Sequence, residues 1–361
     1  MKKESPTDHI MQEDLERLAA GGFPQEQLRG TTVFVTGATG LIGSHIVKTL
    51  AAANRICGSD IKIIAFVRSQ EKAEKVFGDL LKRSDILVRI GDVNQPIEVD
   101  EKIDFIVHGA SPTSSRYFVT NPVETIVTAL AGTRHILDFA KDKQIQGMVY
   151  LSSLEVYGTP DQDGGLVREQ DYGYLDPLSV RSSYSEGKRM TECLCAAYCK
   201  EYGVPVKIAR LSQTFGTGVE YNDGRVFAEF ARCAVEGRDI VLHTQGNTVR
   251  SYCYTKDAVS ALLYILTRGD AGEAYNVTNM DTAISIRDMA KLVAERVAGG
   301  KIKVVFDLPE DLDSFGYNPE MVIRLDAAKL AGLGWRPDVG LEEMYVRMIE
   351  SSFSNRDDTA V

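Results

Sequence analysis

From residue 31 onward the chain alternates short apolar runs with amphipathic stretches. The runs TTVFVTG, IKIIAFVRS, ILVRIGDV, DFIVHGAS, GMVYLSS and VKIARLS are nearly continuous in apolar residues, as strands covered on both faces require. Between them, apolar positions recur at the helical period and predict helices at 41–53, 71–82, 122–141 and 183–201. Such alternation implies a right-handed, doubly wound parallel sheet in an α/β fold. Past about Ser212 the regularity lapses into FGTGVEYNDGRV, where a smaller mixed α/β lobe should begin. The stretch 250–275 is expected to return to the main sheet, ahead of helices in ISIRDMAKLVAERV and LEEMYVRMIE. The expected organisation is therefore a polar helical extension at 1–30, whose DLERLAAGGF packs on the body; a main unit at 31–211 with 249–275; a second lobe at 212–248 with 276–350; and a tail at 351–361.

The first strand runs directly into TGATGLIG, which spaces Gly37, Gly40 and Gly43 as G-x-x-G-x-x-G and leads into the helix SHIVKTLAAA. Glycine there permits a tight turn, close approach to a pyrophosphate and close helix–strand packing. The free N–H groups and positive dipole end of the helix would face the phosphates. The main unit thus reads as a dinucleotide-binding domain.

Composition narrows the partners. A net charge of −10 argues against a general nucleic-acid surface, though a few donors at a helix end can still bind a diphosphate. The longest apolar runs fall short of the about 18 residues that a membrane span needs. The start, MKKESPTDH, has no apolar targeting core, and the six cysteines form no C-x-x-C pair, so a cytoplasmic protein with reduced thiols is expected. Cys195 and Cys199 lie one helical turn apart without a histidine to complete a site; packing is their reading, and no metal is expected.

Two further motifs carry chemistry. In Tyr184-Ser-Glu-Gly-Lys188 the phenol and the ammonium share one helix face, and a neighbouring Lys charge is expected to lower the Tyr184 pKa so that it can take a proton from a sugar hydroxyl. In Leu151-Ser-Ser-Leu-Glu-Val-Tyr-Gly158, at the carboxyl end of a central strand, Ser153 can hydrogen-bond the reacting oxygen and Glu155 can accept a proton from the substrate ring.

With these motifs in order, the chain resembles the extended short-chain dehydrogenase/reductase family, whose members modify nucleotide-linked sugars. The resemblance covers nearly everything after residue 30 and is closest to the UDP-glucuronate decarboxylases. It is carried by HGASP (108–112), NPVETIVTALAGT (121–133), SSLEVYG (152–158), YSEGKRMTE (184–192), NDGRVFAEF (222–230) and VRSYCYTKD (249–257). It implies a Rossmann sheet with a C-terminal substrate lobe, a nucleoside-diphosphate sugar as substrate and a homodimer. The dimer would form through the helices near 122–141 and 183–201, where Ala129, Leu130, Cys195 and Ala196 offer packing surface. Ser153, Tyr184 and Lys188 fall at the catalytic triad positions, with Lys188 also on the nicotinamide ribose. Glu155 falls at the glutamate that decarboxylases and 4,6-dehydratases retain. The dinucleotide would be held by Gly37, Thr39, Gly40, Leu41, Ile42, Gly43, Arg68, Asp92, Val93 and Ala110. The substrate would meet Ser111, Pro112, Gln213, Arg225 and Arg250, an arginine fork suiting a carboxylate or a phosphate.

Three positions depart from the family. Leu154 stands where decarboxylases have Ser and dehydratases Asp, which disfavours dehydration. Gln213 replaces an Asn. Arg68 ends the second strand where an NAD-preferring member places Asp, which tilts the cofactor toward NADP, whereas the self-recycling reaction class tilts it toward NAD. The sequence therefore reads as an enzyme that oxidises the sugar at C4 with NAD(P)+ and returns the hydride, decarboxylase-like. A 4-epimerase or NADPH-dependent keto-reductase is the alternative. A silent NAD(P)-binding protein is the distant one, opposed by the intact triad.

Overall fold

The structure is a computed structural model that describes residues 2–160, 165–308 and 320–353; of the expected tail, residues 354–361 lie outside it. In chain order its strands are β1 (Thr32–Thr36), β2 (Lys62–Val67), β3 (Ile86–Ile90), β4 (Phe105–His108), β5 (Gly147–Ser153), β6 (Leu166–Val167), β7 (Val206–Leu211), β8 (Gln213–Phe215), β9 (Ile240–Leu242), β10 (Val249–Tyr254), β11 (Ala274–Val277), β12 (Asn279–Ser285), β13 (Val304–Phe306) and β14 (Arg324–Leu325).

Seven of them form one parallel sheet in the order β11-β7-β5-β4-β1-β2-β3. Every residue of β1 is buried, because helices cover both faces. Val33 and Val35 pack into the core beneath helices Leu41–Cys57 and Thr255–Arg268, while Phe34 points to the opposite core beneath Thr133–Lys143 and Ser182–Tyr202. This is the doubly wound parallel sheet that the alternating pattern implied.

A second core collects Phe215, Phe227, Tyr252, Tyr254, Met344 and Tyr345, around a small sheet ordered β12-β10-β8. The stretch 250–275 does not return to the main sheet as a unit. Helix Thr255–Arg268 and β11 do, but β10 pairs with β8 and β12 instead. Its alternate residues Tyr252 and Tyr254 fill the second core, and an apolar strand reads alike in sequence whichever sheet receives it.

The N-terminal extension is a clasp between the two cores. Helix His9–Arg17 runs through a wider turn to Gly22 and buries Leu15, Leu18 and Ala19 in the main core. From the same turns, fully buried Asp14 pairs with Arg347 at 2.7 Å and accepts the Tyr254 hydroxyl at 2.6 Å, both from the second lobe. No described helix is long and apolar enough to cross a membrane. Among the described residues no three His, Cys, Asp or Glu side chains gather as a metal site would need.

Candidate active site

The carboxyl ends of β1 to β5 share one edge, where ligands of open α/β sheets bind. After β1 the chain turns through Gly37, whose φ is +65°; a Cβ there would lie 2.8 Å from the Gly109 carbonyl. A Cβ on Gly43 would lie 2.2 Å from the Gly37 oxygen. Neither position tolerates a side chain: Gly37 lets the turn pack on the residues after β4, and Gly43 lets the helix start pack on the turn, the close packing that a pyrophosphate-binding turn uses. Helix Leu41–Cys57 starts at Gly40 with no side-chain cap, which leaves its first N–H groups and positive end for an anion.

The other expected cofactor residues surround this turn. Half-buried Thr39, Leu41 and Ile42 form it, with Leu41 packed on the second core and Ile42 on the main one. The Ala110 N–H donates to Thr36 Oγ1 at 3.3 Å, and Ser111 and Pro112 follow it along the same edge. Beside them, buried His108 contacts Thr36 at 2.7 Å and Thr133 at 3.0 Å. Burial, with the Lys188 charge acting the same way, lowers its pKa to about 3, so the ring is a neutral strut. After β3, Asp92 accepts the Asn94 N–H at 2.9 Å and Val93 is buried. After β2, Arg68 is exposed and makes no hydrogen bond or ion pair with another described residue.

The chemistry is organised by helix Ser182–Tyr202, which lies against the end of β5. Lys188 Nζ donates to the Leu151 carbonyl at 2.7 Å. The Ser152 hydroxyl donates to Glu192, which is in turn paired with buried Arg210 at 2.6 Å. The Ser153 hydroxyl hydrogen-bonds the Tyr184 phenol. Three successive strand residues thus meet helix positions 188, 192 and 184, which share one face at four-residue spacing. Glu192 was not among the expected site residues, though its place eight residues after Tyr184 in YSEGKRMTE puts it on that face.

The expected lowering of the Tyr184 pKa does not occur. Burial, reinforced by the Glu155 charge, pushes it up, and the Ser153 hydrogen bond and the charges of Arg181 and Arg225 only partly oppose this. The ammonium of Lys188 is 5.7 Å from the Tyr184 ring, but it is itself buried, and its pKa falls to about 8. Desolvation outweighs the attraction that helix spacing alone suggests.

Glu155 joins the same group. It accepts hydrogen bonds from Arg181 at 3.3 Å and Ser185 at 3.2 Å. From the second lobe, Arg250 sits close enough for its charge and that of Glu155 to act on each other. Burial lowers the Arg250 pKa; its guanidinium donates to the Val249 and Met321 carbonyls at 3.2 and 3.4 Å and forms no ion pair among the described residues. Arg225, by contrast, is already matched by a two-pronged contact with Asp223, at 2.6 and 3.0 Å, and lies over the Phe227 ring. Half-buried Gln213 begins β8, opposite Tyr252. Leu154 is 2 % exposed and packs with Val156, Val167 and Ile323, so it belongs to a core. Sequence reasoning also missed Phe118, whose ring stacks on Tyr184 at 4.2 Å, and Arg181, three residues before Tyr184. Of the residues proposed for a dimer seam, Cys195 and Ala129 are buried inside the chain, whereas Ala196 is exposed.

A glycine-lined helix terminus beside a Ser–Tyr–Lys constellation defines a dinucleotide-dependent enzyme of the short-chain dehydrogenase/reductase type. The profile of the NAD dependent epimerase/dehydratase family matches residues 33–278, and the chain belongs to that family. UDP-glucuronic acid decarboxylase 6 of Arabidopsis thaliana is 33% identical over 328 residues, spanning 89% of this chain and 88% of the relative. UDP-glucuronic acid decarboxylase 1 of Xenopus tropicalis is 30% identical over 314 residues, spanning 86% and 69%. In fold, the chain is similar to the UDP-glucuronic acid 4-epimerase of Bacillus cereus, with a TM-score of 0.72, 20% identity and coverage of 89% and 98%.

Proposed function

We propose that this enzyme oxidises a nucleoside-diphosphate uronic acid at C4, releases its carboxylate as CO2 and returns the hydride, with UDP-glucuronate as substrate. The observation that carries the reading is Arg250, a half-buried cation that forms no ion pair among the described residues and lies close enough to Glu155 for their charges to interact. A guanidinium so placed suits the substrate carboxylate. The two relatives of 30% and 33% identity support it, since both are UDP-glucuronic acid decarboxylases.

NAD(P)+ supplies, when bound, an acceptor for the C4 hydride and a donor to give it back. Gly37, Thr39, Gly40, Leu41, Ile42 and Gly43 would hold its pyrophosphate, Asp92, Val93 and Ala110 the adenine side, and Lys188 the nicotinamide ribose. Tyr184 takes the proton of the C4 hydroxyl while Ser153 hydrogen-bonds the same oxygen. A ketone at C4 is β to the C6 carboxylate, so breaking the C5–C6 bond leaves its electron pair in an enolate across C4 and C5. Return of that enolate to the ketone needs one proton at C5 in place of the lost carboxylate, and Glu155 is placed to pass it there from solvent. Ser111, Pro112, Gln213 and Arg225 would line the rest of the substrate. Leu154, packed into a core, puts no acid at that position, which disfavours 4,6-dehydration. Exposed Arg68 favours a second reading, an NADPH-dependent keto-reductase.

The six free cysteines fit a reducing, cytoplasmic location. Val123, Ile126, Val127 and Met190 are exposed on the two helices expected to pair, which supports a homodimer.

Four outcomes are expected. Purified protein given UDP-glucuronate should release CO2 and form UDP-xylose, and Tyr184→Phe should lose at least about a thousandfold in turnover while still binding dinucleotide; no CO2 with either cofactor removes the assignment. Removing the Arg68 guanidinium should weaken NADP+ about tenfold in a fluorescence titration and leave NAD+ within about twofold; equal effects on both would mean that Arg68 does not read the 2′-phosphate. Light scattering should give twice the chain mass, and a monomer mass would contradict the dimer.

A further inference from the structure

Arg181 sits at the junction of everything the proposed chemistry needs. It precedes helix Ser182–Tyr202, and its Nη2 donates to Glu155 at 3.3 Å. Its guanidinium lies 5.3 Å from the Phe118 ring centroid, and that ring stacks on Tyr184 at 4.2 Å with 12° between planes. Its Nη1 is buried with no acceptor among the described residues. A structural ion pair would be expected to satisfy both nitrogens, so the unmatched donor asks for another explanation.

The difficulty the site must solve is electrostatic. The Glu155 carboxylate, which accepts from Arg181 and Ser185, opposes ionisation of the Tyr184 phenol, because two neighbouring anions in a desolvated site repel each other. We propose that Arg181 is a positioning residue that holds the Glu155 carboxylate by one bond, braces the Phe118–Tyr184 stack, and offsets the Glu155 charge so that Tyr184 can ionise beside it. Arg250 cannot take this part if it is engaged with the substrate carboxylate, and Arg225, though its charge also reaches Tyr184, is held by Asp223.

The charged and titratable groups facing Tyr184 come from every side. They are Glu155 after β5, Arg181 just before its own helix and Lys188 on it, Arg225 from the second lobe, and Tyr150 on β5 beneath Lys188. Of these, Glu155 raises the phenol pKa and Arg181 and Arg225 lower it. Loss of Arg181 therefore leaves Glu155 opposed by an already paired arginine, and tyrosinate forms at higher pH.

The inference rests on the proton-transfer role of Tyr184 proposed above. The test follows the appearance of enzyme-bound NADH after mixing the NAD+-loaded protein with UDP-glucuronate, across pH, because this reports C4 oxidation alone. Arg181→Met should move the midpoint of that profile to higher pH by about one pH unit, a tenfold loss at a fixed pH below it. Arg181→Lys should restore most of it. In a Glu155→Gln background the same Met substitution should shift the midpoint less than half as far, since the charge to be offset is gone. An unmoved midpoint in Arg181→Met, with only the amplitude or thermal stability reduced, or an Arg181→Lys midpoint displaced as far as that of Arg181→Met, overturns the proposal. NADH that forms without CO2 release overturns the decarboxylase reading alone, the shift in Arg181→Met still deciding for or against Arg181, and no NADH at any pH overturns both.

Discussion

The site depends on one contact more than any other: the last three residues of β5 each commit a polar group to one face of helix Ser182–Tyr202. Leu151 accepts from Lys188, Ser152 donates to Glu192, and Ser153 meets Tyr184. The anchor is the Glu192–Arg210 pair, in which Arg210 also donates to the Tyr157 hydroxyl at 2.9 Å. A buried pair of this kind adds little net stability, but losing one partner strands a charge and costs about 3–5 kcal/mol. Its effect here is to lock the register of helix against strand, so that Ser153, Tyr184 and Lys188 cannot drift apart.

The same desolvation that makes the lock rigid sets the electrostatics. Burial lifts the Tyr184 pKa and lowers that of Lys188, so neither group is charged as readily as in water. Cations brought to this site favour the phenolate, and the chain already supplies Arg181 from one lobe and Arg225 from the other. Because Arg250 also comes from the second lobe, the lobes must keep a fixed relation. The N-terminal helix, through Asp14 and its bonds to Arg347 and Tyr254, ties them together.

Much of this was legible in the sequence because it follows from periodicity. Continuous apolar runs announced covered parallel strands, the glycine spacing announced the turn after β1, and four-residue spacing put Tyr184 and Lys188 on one face. What escaped depended on three-dimensional burial. Helix spacing places a lysine near a tyrosine but cannot show that both are desolvated, so the direction of the Tyr184 shift came out reversed. The apolar residues of β10 suit either sheet, and only the pairing of Tyr252 with Gln213 decides. Periodicity does not distinguish a seam from a core, and Cys195 lies in the core. Phe118 and Arg181 carry no motif; they matter through contacts made from another helix and from the residue before a helix start. The Asp223–Arg225 contact spans two residues and could have been suspected from NDGR itself.

The central claim is that Tyr184, Ser153 and Lys188 serve a hydride that leaves C4 and comes back to it. UDP-glucuronate deuterated at C4 tests this directly, with the product examined by mass spectrometry and free nicotinamide examined for label. Deuterium retained at C4 of UDP-xylose, with no net consumption of dinucleotide, is the predicted result. Label lost to solvent or released on free NAD(P)H would contradict the account.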